Sequence, residues 1–243
     1  MLLKKGLSLV LAVSLVILIG LPCFSSIGAA EPVGFDEIEF SGQGPAGVEL
    51  VKTNANKITF EFLNVEHEER YTVTQSVENR KMQIVVTNTA PKYGVNVQFG
   101  PDEYRNVIRV HIPNEVYKQF NITANEMVIQ INDFNAPVQA TGERGGIYLK
   151  DDSIVMGTYN ISVSSGPVSI ESAFINTDIK VNVENGPVTL HFHEQPKNLY
   201  LDTTSCGPIV KRPDTWAAEY KVGNETPEII IVNTKGLTTI KVE

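Results

Sequence analysis

Apolar and polar residues alternate in short runs along almost the whole chain from residue 35 onward. Ile58, Phe60 and Phe62 alternate with polar neighbours, and residues 107–112 continue the same pattern. An apolar spacing of two turns one face of a strand inward and leaves the other in water. The spacing of three and four that marks an amphipathic helix is lacking, and only 213–220 could hold a short helix. The pattern therefore predicts an all-β protein.

Turns that contain glycine recur at a nearly constant interval in the second half of the chain. Four glycines follow one another after 21, 20 and 21 residues, and the residue two positions after each is apolar. Asparagine substitutes for glycine where the backbone is left-handed, so an asparagine twenty residues upstream fits the same series. A further glycine near the end of the chain is the last member of this series. The predicted turn residues are Asn125, Gly145, Gly166, Gly186, Gly207 and Gly236.

A period of 20–21 residues, with one glycine turn and two short strands, is typical of stacked coils. Each coil would pair with the next at about 4.8 Å, and the apolar positions would form columns inside. We therefore predict a single-domain β-solenoid or β-roll, with a β-sandwich as the alternative. Residues 107–243 would form the repeat-built part. The β-patterned residues 31–106 would supply capping coils, because the end of a stack must be covered.

The first thirty residues (1–30) have the three parts of a secretory signal peptide. A short positive start precedes an almost purely apolar run at 6–21, and small residues follow at 28–30. This pattern predicts export, with cleavage near Ala30. An uncleaved membrane anchor is the alternative, although the apolar run is short for a span of about 20 residues. A lipid anchor on Cys23 fits less well, because a proline stands directly before it.

Several short motifs occur together in the second half of the chain. Val110-His111-Ile112-Pro113 is an alternating strand that ends in proline, and the runs 161–166 and 181–186 alternate before a final glycine. Residues 228–236 add an apolar strand and a Thr-Lys-Gly turn. On these motifs the segment 107–243 resembles the bacterial putative-adhesin family, whose function is unknown. The resemblance implies an exported surface or envelope domain rich in β-structure, and it brings no catalytic residues with it.

Charge and cysteine content narrow the class of function. The 243 residues contain 20 Lys and Arg against 28 Asp and Glu, a formal net charge of −8 at pH 7. That sign disfavours a nucleic-acid backbone as partner. The chain has only 2 cysteines, and cleavage near Ala30 would leave Cys206 alone. We therefore expect no internal disulfide and an inert thiol.

One cluster is a weak candidate for a metal site. His191 and His193 lie two residues apart on a predicted strand and share a face, and the repeat alignment places Glu171 beside them one coil earlier. Two imidazoles and a carboxylate can bind a transition metal. A solvated strand face is the commoner setting for such residues, so we predict no metal and no cofactor.

The paired carboxylates at 102–103 and 151–152 do not predict a catalytic centre. Adjacent residues of a strand point to opposite faces, so the two members of a pair cannot act in one cleft unless they lie in a turn. The sequence also has no Gly-x-Ser-x-Gly nucleophile motif and no glycine loop for phosphate. We therefore predict solvated acidic turns and no catalytic residues.

The sequence thus favours an exported, non-enzymatic cell-envelope or secreted binding module. Its partner would be a surface partner, a wall component or a glycan, and not a nucleic acid. Membrane contact is expected only if the signal segment stays uncleaved, and an exposed final strand would permit dimerisation. Two alternatives stay open: a polysaccharide-acting β-helix hydrolase or lyase, and a membrane-anchored accessory protein of the envelope-stress response.

Overall fold

The computed structural model describes residues 34–90, 97–99, 104–132, 134, 136–151, 158–172, 177–207 and 209–243. Within these ranges the regular structure consists of β-strands and one 3-10 turn, Glu68–Arg70. The prediction of an all-β protein is confirmed. In chain order the strands are β1 (Glu37–Thr53), β2 (Thr59–Leu63), β3 (Tyr71–Glu78), β4 (Lys81–Asn88), β5 (Val107–Pro113), β6 (Gln119–Asn132), β7 (Val138–Arg144), β8 (Gly146–Asp151), β9 (Tyr159–Ser165), β10 (Val168–Ser172), β11 (Ile179–Asn185), β12 (Val188–Phe192), β13 (Leu199–Asp202), β14 (Ile209–Lys211), β15 (Glu219–Val222), β16 (Glu228–Asn233) and β17 (Leu237–Val242).

Most strands belong to one of two parallel ladders. Ladder A runs in spatial order β4-β1-β6-β7-β9-β11-β16-β13. Ladder B runs β5-β1-β6-β8-β10-β12-β17-β14. The first halves of β1 and β6 pair in ladder A and their second halves in ladder B, so each long strand passes a corner in the middle. The same layout recurs later in the chain, with a strand of ladder A, a corner and a strand of ladder B. We call each such unit a coil.

Neighbouring coils pair residue for residue, which aligns their apolar side chains. Ile161 of β9 pairs with Val181 of β11, and Val168 of β10 pairs with Val188 of β12. The side chains two and four positions after the corner are buried in each of the four central coils. Burying such an aliphatic side chain contributes roughly 1.5–3 kcal/mol. The two columns are Ile147, Val168, Val188 and Thr238, and Leu149, Ile170, Leu190 and Ile240.

Antiparallel strands cover the ends of the ladders. β3 pairs with β4 and β2 pairs with β5 at one end, and β15 pairs with β13 at the other. β1 lies one position further in, between β5 and β6 in ladder B. Residues on both sides of position 106 therefore share one hydrogen-bonded sheet. The assignment of 31–106 to capping coils stays a prediction.

The spatial order of the last coils differs from their order along the chain. The repeat alignment placed the corner at Gly207 directly after Gly186, but β16 and β17 lie between these two corners. The corner at Gly236 therefore follows Gly186, and the alignment was wrong in this step. Ile231 of β16 is completely buried in the inner coil, whereas Ile209 of the outer coil is 55% exposed.

Residues 213–220, the one segment where the sequence allowed a short helix, form no helix. The Trp216 N–H donates to Pro213 O at 2.9 Å in a tight turn, and β15 follows. The Trp216 ring stacks on Tyr220 with ring centroids 4.0 Å apart and lies 5.9 Å from the ring of Phe192. Aromatic burial of this kind outweighs a weak local helix preference.

The corner glycines lie where neighbouring coils approach most closely. Gly166 has a φ of +149°, and a Cβ on it would overlap the carbonyl oxygen of Gly145. Gly186 stands in the same relation to Gly166, and Gly236 to Gly186. Residues with a side chain rarely adopt this φ, and the carbonyl of the coil below leaves no room for one. Glycine therefore allows the corners to stack without separating the strands.

Asn125 does not adopt the left-handed conformation that the repeat predicted for it. The positive φ in this corner belongs to Glu126, at 63°. Asn125 is paired with Gln43 in ladder A, so its backbone is held in the strand. The turn therefore falls one residue later, where Arg144 Nη2 forms an ion pair with Glu126 Oε1 at 2.5 Å.

The predicted signal peptide at 1–30, with Cys23 in it, lies outside the described residues. Export and cleavage therefore stay predictions. Within the described ranges, no helix has the length and apolar character needed to cross a bilayer.

Replacing Gly166 by alanine should destabilise the protein, because the new Cβ would press on the carbonyl of Gly145 at a φ that alanine disfavours. We expect the free energy of unfolding to fall by about 2 kcal/mol or more in a denaturant titration. Gly34→Ala is the matched control, because nothing lies within 4 Å of the position of its Cβ. An unchanged unfolding midpoint for Gly166→Ala would contradict the corner geometry.

Candidate functional site

The outer side of ladder A is polar across β6, β7, β9 and β11. Its side chains point outward because they alternate with the buried positions of β6, β7, β9 and β11. Residues from different strands form rows across it, since Gln139 pairs with Asn160 and Asn160 with Lys180. A second row, formed by Thr141, Ser162 and Asn182, runs beside the first. We call this surface the ladder A face and define it by seven exposed residues: Thr123, Gln139, Thr141, Asn160, Ser162, Lys180 and Asn182.

Hydroxyl and amide groups make up the ladder A face apart from the one lysine. Neighbouring strands are about 4.8 Å apart, so these groups recur at that interval across the face. Thr141 Oγ1 donates to Ile122 O at 3.3 Å, which fixes the position of one hydroxyl. Hydroxyls and amides both donate and accept hydrogen bonds. The face can therefore bind a polar, largely uncharged ligand with repeating groups.

The outer side of ladder B contains a buried carboxylate. The side chain of Glu49 is only 4% exposed, although it lies on the outward side of β1. Its Oε2 accepts a hydrogen bond from Arg109 Nε at 2.7 Å. Its Oε1 accepts from Gln130 Nε2 and Asn132 Nδ2, each at 3.0 Å, and from the Tyr104 hydroxyl at 3.3 Å. Four donors therefore satisfy this charge.

Strand register assembles the Glu49 network. Arg109 and Gln130 are the direct neighbours of Glu49 on either side in ladder B. Arg109 also lies 4.7 Å from the centre of the Tyr104 ring. Burial acts to lower the pKa of Arg109, but the hydrogen bond and the charge of Glu49 outweigh it and raise the pKa overall. The ion pair joins β1 to β5, and the hydrogen bonds from Gln130 and Asn132 extend the network to β6.

Sequence reasoning missed the Glu49 network because Glu49 reads as an ordinary outward residue of an alternating strand. Glu49 is buried because residues distant from it in the sequence cover the outer side of ladder B. Phe99 lies 6.4 Å from Tyr148 between ring centroids, and Tyr104 reaches Glu49 from the same region of the chain. Only the pairing of Glu49 with Arg109 across neighbouring strands would have revealed the network, and a single sequence does not show which strands pair.

The structure brings Glu171, His191 and His193 together on the outer side of ladder B. Glu171 of β10 pairs with His191 of β12, and His193 follows two residues later. One ligand atom from each of the three lies within 4.8 Å of the others, and all three are half-buried. The two imidazole rings are 4.8 Å apart between centroids. These residues are the predicted metal candidates, and the geometry makes them a compact group.

The remaining residues singled out in the sequence form no site among the described residues. Cys206 is half-buried, and its Sγ donates to Ile231 O at 3.3 Å. Burial raises the pKa of the Cys206 thiol, which disfavours the reactive thiolate. Asp151 ends β8, while its neighbour Asp152 and the pair at 102–103 lie outside the described residues.

Comparison of this chain with known proteins found similar chains among solved structures. No family model matches it, and neither does any curated protein. Similar solved structures include a putative cell adhesion protein from Clostridium sporogenes, with 16% identity and a TM-score of 0.45, covering 89% of this chain and 97% of that one. A putative adhesin from Bacteroides fragilis has 12% identity and a TM-score of 0.36, covering 91% and 99%.

The chain resembles the bacterial putative-adhesin family. The names of these two structures agree with the family that the sequence motifs indicated. A putative lipid binding protein from Parabacteroides distasonis is also similar, with 13% identity and a TM-score of 0.27, covering 90% of this chain and 96% of that one.

Replacing Glu49 by glutamine should destabilise the fold, because Arg109 would lose its counter-charge in a largely buried position. We expect a loss of about 3 kcal/mol in the free energy of unfolding, measured by denaturant titration. Glu61→Gln is the control, since Glu61 also contacts Arg109, at 3.5 Å, but is half exposed. That variant should lose about 0.5 kcal/mol or less. Equal losses of unfolding free energy in both variants would show that the buried Glu49–Arg109 pair contributes no more to stability than the exposed Glu61–Arg109 contact.

Proposed function

We propose that the protein is an exported, non-enzymatic β-solenoid of the cell envelope that acts as a binding module. Its partner is a surface partner, a wall component or a glycan, and it contacts this partner through the ladder A face. The signal-like residues 1–30 support export. The two parallel ladders with a shared corner support the solenoid architecture.

The ladder A face is the observation that carries this proposal. Its side chains stand on strands whose opposite side is buried, so a rigid core supports the binding groups. Fixed groups lose little conformational entropy when a ligand binds. A polymer with repeating hydroxyl groups can meet several rows at once, and each additional contact raises the effective affinity. Repeated weak hydrogen bonds thus add up along the face.

The chemistry of the ladder A face favours a neutral or weakly charged glycan. Its seven residues include no large apolar side chain and one charged group, Lys180, and the next outward positions on β7 and β11 are the exposed Glu143 and Glu184. A lipid would need an exposed apolar surface, and a nucleic acid would need a basic one. Amides and hydroxyls match the alternating donors and acceptors of a polysaccharide. A hydroxyl-rich wall polymer therefore fits the face best.

The test is a binding assay of the purified protein against insoluble wall polysaccharide and an array of neutral glycans. Combining Gln139→Ala, Asn160→Ala and Asn182→Ala removes three amides from the ladder A face. Each lost hydrogen bond costs about 1 kcal/mol, so affinity should fall at least about tenfold while the fold is retained. The unfolding midpoint of this triple variant should differ from that of the unaltered protein by no more than surface substitutions normally cause.

The matched control removes three hydroxyls from one row of ladder B, by Ser169→Ala, Thr189→Ala and Thr239→Ala. These residues are in register on the outward side of β10, β12 and β17. Binding should persist in this variant. Equal loss in both triple variants, or no binding of the unaltered protein to any hydroxyl-rich polymer, would contradict the proposal.

A further inference from the structure

Four side chains with metal-binding groups converge on the outer side of ladder B, away from the ladder A face. Glu171 lies on β10 and His191 on β12, while His193 directly follows β12 and Glu243 directly follows β17. The Glu243 N–H donates to Phe192 O at 3.1 Å, which holds this residue beside the end of β12. Three adjacent strands of one ladder thus deliver the four groups to one place.

Two histidine–glutamate pairs form the core of this group. His193 Nε2 lies 3.3 Å from Glu171 Oε1, and His191 Nε2 lies 3.2 Å from Glu243 Oε1. A third contact of 3.7 Å joins His193 Nδ1 to Glu243 Oε2, so the two pairs are connected. The half-buried His191 and His193 remain accessible to a solute from the outer side.

These distances fit the coordination shell of a small divalent cation. Zinc binds histidine nitrogen and carboxylate oxygen at about 2.0–2.2 Å, so two ligands at a tetrahedral edge are about 3.3–3.5 Å apart. Both histidine–glutamate distances are close to that edge. One ligand atom each of Glu171, His191 and His193 lies within 4.8 Å of the others. Glu171 and Glu243 face opposite nitrogens of the His193 ring, so binding of all four side chains to one ion requires them to move closer together.

We propose that Glu171, His191, His193 and Glu243 form a binding site for a zinc-like transition-metal ion. Two imidazole nitrogens and two carboxylate oxygens suit zinc, nickel or copper better than calcium or magnesium, which prefer a shell of oxygens. Two carboxylates and two imidazoles offer at least four atoms with lone pairs that a cation can share. A divalent cation supplies the positive charge that this arrangement lacks.

The bound ion would act as a cross-link between strands. β10, β12 and β17 are consecutive in ladder B, and the strand β17 joins the last part of the chain to the central coils. A ligand that binds only the folded state stabilises it in proportion to its free concentration. Zinc therefore raises the stability of this end of the stack, independently of any ligand on the ladder A face.

The experiment is a titration of the purified protein with zinc chloride at neutral pH, followed by calorimetry. We expect one ion per chain with a dissociation constant tighter than about 10 µM, and at least about tenfold weaker binding in His193→Ala and in Glu171→Gln. His111→Ala is the matched control, since His111 is a half-buried histidine of ladder B that contacts Glu61 at 3.4 Å. That variant should bind zinc as the unaltered protein does.

A second measurement does not depend on binding heat. Excess zinc should raise the thermal unfolding midpoint of the unaltered protein and of His111→Ala by several degrees, and should raise that of His193→Ala by clearly less at the same zinc concentration. Lowering the pH to about 5 should weaken binding, because imidazole must be neutral to bind the metal. Binding weaker than about 10 µM in the unaltered protein, or equally tight in His193→Ala, would overturn the proposal.

Discussion

The structure depends on the close approach of backbones at the glycine corners. At Gly166, Gly186 and Gly236, the carbonyl of the neighbouring coil occupies the space that a side chain would need. This contact fixes how one coil sits on the next, and therefore which residues are paired along both ladders. A shift of one residue would turn every inward side chain outward, so the register has to be held strictly. The column of corner glycines holds this register.

Once the register is fixed, core and surface follow from the same alternation. The aligned inward positions bury isoleucine, valine and leucine in columns, and the positions between them form rows of polar groups outside. The ladder A face and the histidine–glutamate group are both products of these outward rows. They lie on different ladders, so the two proposed binding sites are on separate surfaces.

The sequence predicts the local features of this fold better than its long-range order. Alternation and glycine spacing are local, and they correctly predicted the all-β class and the inward columns around Ile170. The position of the corner at Gly236 was missed because long-range strand pairing sets the order of the coils, and the spacing of glycines along the chain does not contain it. Asn125 was misassigned because pairing with Gln43 overrides its own preference. Glu49 is buried only by distant chain, so no local pattern signals it.

The order of the last coils gives the most direct test of this account. In a Cys206→Ser background, Lys180→Cys and Ile230→Cys place cysteines on directly paired residues of β11 and β16, about 5 Å apart and within disulfide range. Lys180→Cys with Asp202→Cys places them two strands apart, about 10 Å, which a disulfide cannot bridge. We expect mild oxidation to cross-link the first pair in the native protein and not the second. Cross-linking of the second pair instead would mean that the coils stack in chain order, and would contradict the register described above.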